Sequence, residues 1–100
     1  MTGFAGNVRR ATDAMRDLFP PTPLLRNAFL SERFGAEIWL KREDLSPVRS
    51  YKIRGAFNAI SKHLAAHPDQ DSFVCASAGN HAQGVAYVCR HLNRHGTIFM

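Results

Sequence analysis

The sequence predicts an α/β fold with a parallel sheet, and three observations lead there. First, the short apolar runs Glu37–Lys41, Ser72–Ala76 and Thr97–Met100 alternate with helix-spaced segments. That order, strand, helix, strand, helix, strand, is the pattern of right-handed βαβ crossovers. Second, a turn of small residues, Ser77-Ala78-Gly79, joins an apolar run to a helix, as happens at the carboxyl end of a parallel strand. Third, 100 residues that are 45% hydrophobic and 21% charged make one folded unit with a modest core and exclude a disordered chain.

Each element has a local reason. Val8, Ala11, Met15, Leu18 and Phe19 recur at helical spacing, so a helix is expected from Asn7, as cap, to Phe19, ended by Pro20-Pro21. Pro21-Thr22-Pro23-Leu24 is extended or turned, because the residue before a proline avoids the α region. Asn27 to Phe34 forms a short helix stopped by Gly35. Glu37–Lys41 is a strand, and Ser46-Pro47 marks a loop. Ile53, Phe57, Ile60 and Leu64 form one face of a helix that Ser50 caps, which puts Lys52 in its first turn. Ser72–Ala76 reads as a strand covered on both faces, and Val85, Val88, Cys89 and Leu92 as the buried face of the next helix.

The formal charge of +5 raises the question of nucleic acid. The basic residues are scattered and not interleaved with aromatics, which argues against that partner and for a cleft that attracts an anionic cofactor or substrate. Cys75 and Cys89 form no C-x-x-C motif and are read as free thiols in a reducing compartment, which with the lack of a signal-like segment places the chain in the cytoplasm. No stretch approaches a membrane span.

Two segments carry candidate chemistry. Ser77-Ala78-Gly79-Asn80-His81 opens a helix whose first N–H groups have no partner within the helix, so their partial positive charge can hold an anion. Gly79 lets a ligand approach the backbone, and Asn80 offers an amide that donates and accepts. An ordinary capped turn is the plain alternative. Lys52 is the second candidate: a nucleophilic lysine needs its pKa lowered by burial or a neighbouring cation, for which Arg54 is at hand. The plain alternative there is a surface lysine. His63/His67 and His91/His95 lack a third ligand and read as surface histidines rather than a metal site. Glu43 and Asp44 can form a carboxylate pair for acid–base work, but Lys41 and Arg42 favour a solvated charge cluster.

Together, Thr22-Pro23-Leu24, Ile38 to Asp44, Pro47 to Ala56 with Ser50-Tyr51-Lys52-Ile53-Arg54-Gly55 at its centre, and Ser77 to Gly84 resemble the fold type II pyridoxal 5'-phosphate (PLP) enzymes. These are the tryptophan synthase beta-like fold, and within them the resemblance is to the threonine dehydratases (threonine ammonia-lyases). It runs from about Ala11 to Met100, with the motifs in register. It implies that Lys52 holds PLP as a Schiff base and moves protons at the substrate Cα. It also implies that Tyr51 packs on the cofactor ring, that Asn80 bonds the ring hydroxyl, and that Ser77, Ala78, Gly79, Asn80 and His81 grip the substrate carboxylate. The reaction implied is β-elimination of L-threonine to 2-oxobutanoate and ammonia in isoleucine biosynthesis, by a homo-oligomeric enzyme whose partner is a small amino acid.

Serine dehydratase or racemase chemistry is the near alternative, and a truncated amino-acid-binding module without catalysis is the alternative of another class. Cysteine and threonine synthases usually carry an acidic residue after the lysine, where Ile53 stands here. The glycine-rich cradle for the PLP phosphate is absent, so residues 1–100 are expected to be the N-terminal part of a truncated PLP-dependent catalytic domain. Alone, such a chain is expected to be inactive and to bind PLP weakly.

Overall fold

The computed structural model describes residues 3–100. Helix α1 spans Phe4–Met15, followed by strand β1, Leu24–Arg26, helix α2, Ala28–Phe34, and strand β2, Trp39–Lys41. A 3₁₀ turn, Glu43–Leu45, leads to helix α3, Lys52–Ala66. Strand β3, Ser72–Ala76, helix α4, Asn80–His91, and strand β4, His95–Phe99, complete the order. The fold is mixed α/β with a parallel strand pair, as the sequence predicts.

Helix α1 begins earlier than its apolar spacing suggests. Gly3 occupies the cap, and the Asn7 N–H already donates to the Gly3 carbonyl at 3.0 Å. Asn7 therefore lies inside the helix and does not cap it; its side chain accepts from Arg10 instead. The helix ends at Met15, where the N–H groups of both Leu18 and Phe19 donate to the Met15 carbonyl. This fold-back puts Leu18 and Phe19 into the core.

Helix α2 follows its local signals closely. Asn27 Oδ1 accepts from the Leu30 N–H at 2.8 Å. At the other end Gly35 takes φ of 61°, and the Gly35 and Ala36 N–H groups return to the carbonyls of Glu32 and Ser31. That closure needs a left-handed residue, which glycine supplies without a Cβ clash.

The first sheet departs from expectation. Strand β2 does not join the parallel sheet; it pairs antiparallel with β1 in the register Leu24↔Lys41, Leu25↔Leu40 and Arg26↔Trp39. The prolines at 20, 21 and 23 keep the chain extended into β1, and the closed end of α2 turns it back alongside. Ser31 fixes that return by accepting from the Ile38 N–H at 2.9 Å.

The second sheet is the predicted βαβ unit. Strands β3 and β4 run parallel, from Ser72↔His95 to Ala76↔Phe99, with α4 as the crossover. Only one face of β3 is covered, contrary to expectation: Phe73 and Cys75 pack against the core while Val74 is 70% exposed. The core lies where α3 and α4 meet. Ile53, Phe57 and Ile60 from α3 pack with Val85, Val88 and Cys89 from α4, joined by Met15, Leu18, Phe19 and Val48.

Candidate active site at the start of helices α3 and α4

Helix α3 starts at Lys52, with Tyr51 as its cap. The expected Ser50 cap is not formed. The Ser50 side chain is buried without a hydrogen-bond partner, while its backbone N–H donates to Ser46 Oγ at 3.1 Å and its carbonyl accepts from that hydroxyl at 2.7 Å. The tight Ser46–Ser50 loop takes up these backbone groups, and the Ser50 hydroxyl makes no cap bond to the helix. Lys52 is half-buried, and its Nζ lies 5.6 Å from the centre of the exposed Tyr51 ring.

The second half of the site is the turn after β3. Ser77 Oγ accepts from the N–H groups of Gly79 and Ala82, both at 3.2 Å, so this hydroxyl ties the turn to the first turn of α4. Among the described residues no backbone carbonyl takes up the N–H of Asn80 or His81, the first two residues of the helix. These are its open donors, at the positive end of its dipole. An added Cβ at Gly79 would meet nothing within 4 Å, so the turn has free space beside it. Ala78, Asn80 and His81 are exposed.

A cavity of about 470 Å³ joins the two halves. Tyr51, Lys52 and His81 line it, and Ile60, Phe73 and Val85 form apolar walls. Lys52, Tyr51 and His81 are thus brought together, while Ser77, Ala78, Gly79 and Asn80 lie along the adjoining turn outside the cavity lining. A primary amine beside an aromatic ring, with open N–H donors close by, suits an aldehyde cofactor bearing a flat ring and anionic substituents.

Arg54 lines the same cavity as Lys52, and its guanidinium is bonded to other partners. Its Nε and one terminal nitrogen donate to the two Glu43 carboxylate oxygens at 2.6 and 2.9 Å, and that terminal nitrogen also donates to Thr22 Oγ1 at 3.2 Å. The guanidinium lies 5.1 Å from the Phe19 ring centre. Thr22 in turn donates to Glu43, and Lys41 Nζ donates to the Thr22 carbonyl. The Arg54 bonds hold the Glu43 carboxyl below its ordinary range against the opposing effect of burial, with Thr22 adding to the lowering. Glu43 in the same way holds Arg54 raised.

Glu43 and Asp44 are therefore not an acid–base pair. Asp44 is exposed and takes both bonds from Arg42, at 2.9 and 2.8 Å. The clamp of Thr22, Glu43 and Arg54 was the part of this region that sequence reasoning missed, because its members lie 11 to 32 residues apart and no local spacing joins them.

Elsewhere, the rings of His63 and His67 stack at 4.5 Å, and His95 lies 3.7 Å from Asp71 on the surface. No group of three or more His, Cys, Asp or Glu side chains is placed to hold a metal among the described residues. Cys75 and Cys89 are free thiols. No helix among the described residues is long and apolar enough to cross a membrane.

The profile of the pyridoxal-phosphate-dependent enzyme family matches residues 15–100. The chain belongs to that family. Its sequence is 51% identical over 94 residues to the biosynthetic L-threonine dehydratase IlvA of Bacillus subtilis, covering 94% of this chain and 22% of that protein. The chain thus spans about a fifth of the length of this curated relative. Among solved structures, a T.th. threonine deaminase superposes with a TM-score of 0.80 at 34% identity, over 95% of this chain and 32% of the other. A PLP-dependent aspartate racemase superposes with a TM-score of 0.88 at 25% identity, over 98% and 32%. The family's cofactor is PLP, and the residues around the cavity fit it.

Proposed function

We propose that this chain is the N-terminal part of a PLP-dependent catalytic domain that converts L-threonine to 2-oxobutanoate and ammonia. The observation that carries the reading is the shared cavity, in which Lys52 faces the start of α4. The 51% identity to a threonine dehydratase, against 25% to the racemase, favours elimination over racemisation.

When bound, PLP supplies an electron sink for charge that develops at the substrate Cα. The protein supplies placement. Lys52 Nζ would hold the cofactor covalently and would carry the proton at the substrate Cα. Tyr51 would pack against the cofactor ring. The Asn80 amide would hydrogen-bond the ring hydroxyl. The turn from Ser77 through Ala78 and Gly79 to His81 takes the substrate carboxylate on the open N–H groups of α4, where the helix dipole favours an anion. Ile60, Phe73 and Val85 give the cavity its apolar walls. The free thiols support a cytoplasmic setting, and the same reading expects a homo-oligomer.

The test is absorbance of the intact protein with PLP, for wild type and Lys52→Ala, before and after L-threonine. The reading expects the band of lysine-bound cofactor in wild type only, with 2-oxobutanoate formed only there. Absence of the band from both proteins would overturn it in favour of a non-catalytic binding module. D-amino acid formed without 2-oxobutanoate would replace elimination with racemisation.

A further inference from the structure

Helices α3 and α4 touch at one unusually close point. A Cβ added to Gly84 would lie 3.2 Å from the Lys52 carbonyl carbon and 3.3 Å from both the Lys52 carbonyl oxygen and the Ile53 nitrogen. All of these are backbone atoms of the first turn of α3, so no side-chain rotation can make room. The turn itself would have to move by a few tenths of an ångström. Gly84 has an ordinary helical backbone, and alanine has the better helix propensity at such a position. The glycine is therefore explained by the neighbour it faces.

That neighbour carries the lysine. The first turn of α3 is fixed from its other sides: Ile53 is fully buried, and Arg54 is bonded to Glu43 and Thr22. Gly84 lies one helical turn beyond Asn80, and Ser77 Oγ locks the preceding loop to the same helix through Ala82. The contact at Gly84 thus sets how far the Lys52 backbone stands from the 77–81 turn. We propose that Gly84 is a positioning residue for Lys52, its missing side chain fixing the separation between the lysine amine and the turn that receives the substrate carboxylate. The proposal rests on the assignment of Lys52 given above.

Gly84→Ala tests it in the intact protein, with Val88→Ala as the control. Val88 is fully buried one turn further along α4 and is not among the residues that meet Lys52 across Gly84. Misplacing a reacting group by about 1 Å costs on the order of 100-fold, so a few tenths of an ångström are expected to lower kcat about tenfold. Val88→Ala lowers the melting temperature and leaves kcat unchanged. Covalent capture of PLP by the apoprotein, in which Lys52 Nζ joins the aldehyde carbon and water leaves, slows to a similar degree in Gly84→Ala only; borohydride trapping follows it.

The decisive comparison places Gly84→Ala in a Lys52→Ala background rescued by a free primary amine. A diffusible amine is not tied to the shifted turn, so Gly84→Ala costs nothing there. A tenfold loss that persists under rescue assigns the glycine to general packing and overturns the proposal. So does a Gly84→Ala protein with kcat within twofold of wild type, or one that does not fold. Wild-type activity in Lys52→Ala itself would instead overturn the assignment of Lys52.

Discussion

Glu43→Gln, Arg54→Met and the double substitution form a cycle that measures the clamp behind Lys52. Glutamine keeps the volume of Glu43 but removes the charge that receives Arg54 at 2.6 and 2.9 Å. Methionine fills the space of the Arg54 stem without its donors, leaving Glu43 with only the Thr22 hydroxyl and Lys41 close by. Hydrogen bonds to charged groups contribute roughly 1.5–3 kcal/mol each. The side chains are 29% and 19% exposed, so water replaces part of what is lost. About 2 kcal/mol is therefore expected for Glu43→Gln, and about 2–3 kcal/mol for Arg54→Met, which strands a carboxylate in a half-buried place.

The double variant strands no charge and should cost no more than the worse single change. The coupling is then about 2 kcal/mol, within the range found for residues in one network. The assay is urea unfolding of the four proteins, with stability taken from midpoint and slope. Single-variant losses that add to within about 0.5 kcal/mol would refute the clamp, because independent sites add and bonded ones do not.

Three further outcomes follow from the same packing. Glu43 has its carboxyl held below the ordinary 4.5 chiefly by Arg54, so its contribution is present above that value and is lost as pH falls through the lowered one; Glu43→Gln should abolish that part of the acid loss in urea midpoints measured against pH. Ile53 is fully buried, so Ile53→Ala should cost about 2–5 kcal/mol and Ile53→Val about 0.5–1.5 kcal/mol in the same unfolding assay. Burial, with Cys75 adding to it, pushes the Cys89 thiol above 9.0. A thiol reagent should therefore modify half-buried Cys75 in the native protein and reach Cys89 only on unfolding, and stability should decline as pH rises from about 9 through the raised value.

What the sequence determined by itself is local. Ile53, Phe57 and Ile60 on α3, and Val85, Val88 and Cys89 on α4, are buried as their spacing requires, because a helix of 3.6 residues per turn brings them to one face wherever it lies. Asn27 and Gly35 bound α2 because capping acts within a few residues. The turn from Ser77 to His81 is legible for the same reason, being the start of a helix after a strand. What only the tertiary structure decided depends on where distant segments run. Leu24–Arg26 became a strand because α2 returned Trp39–Lys41 beside it, which took β2 out of the parallel sheet. Thr22 and Glu43, 32 and 11 residues from Arg54, captured its guanidinium. Ser50 lost its capping role to the geometry of its own loop, and Gly84 gained its meaning only from the Lys52 backbone across the helix contact. Periodicity and caps are written over one or two turns of chain, whereas these contacts require backbones remote in sequence to approach within a few ångströms.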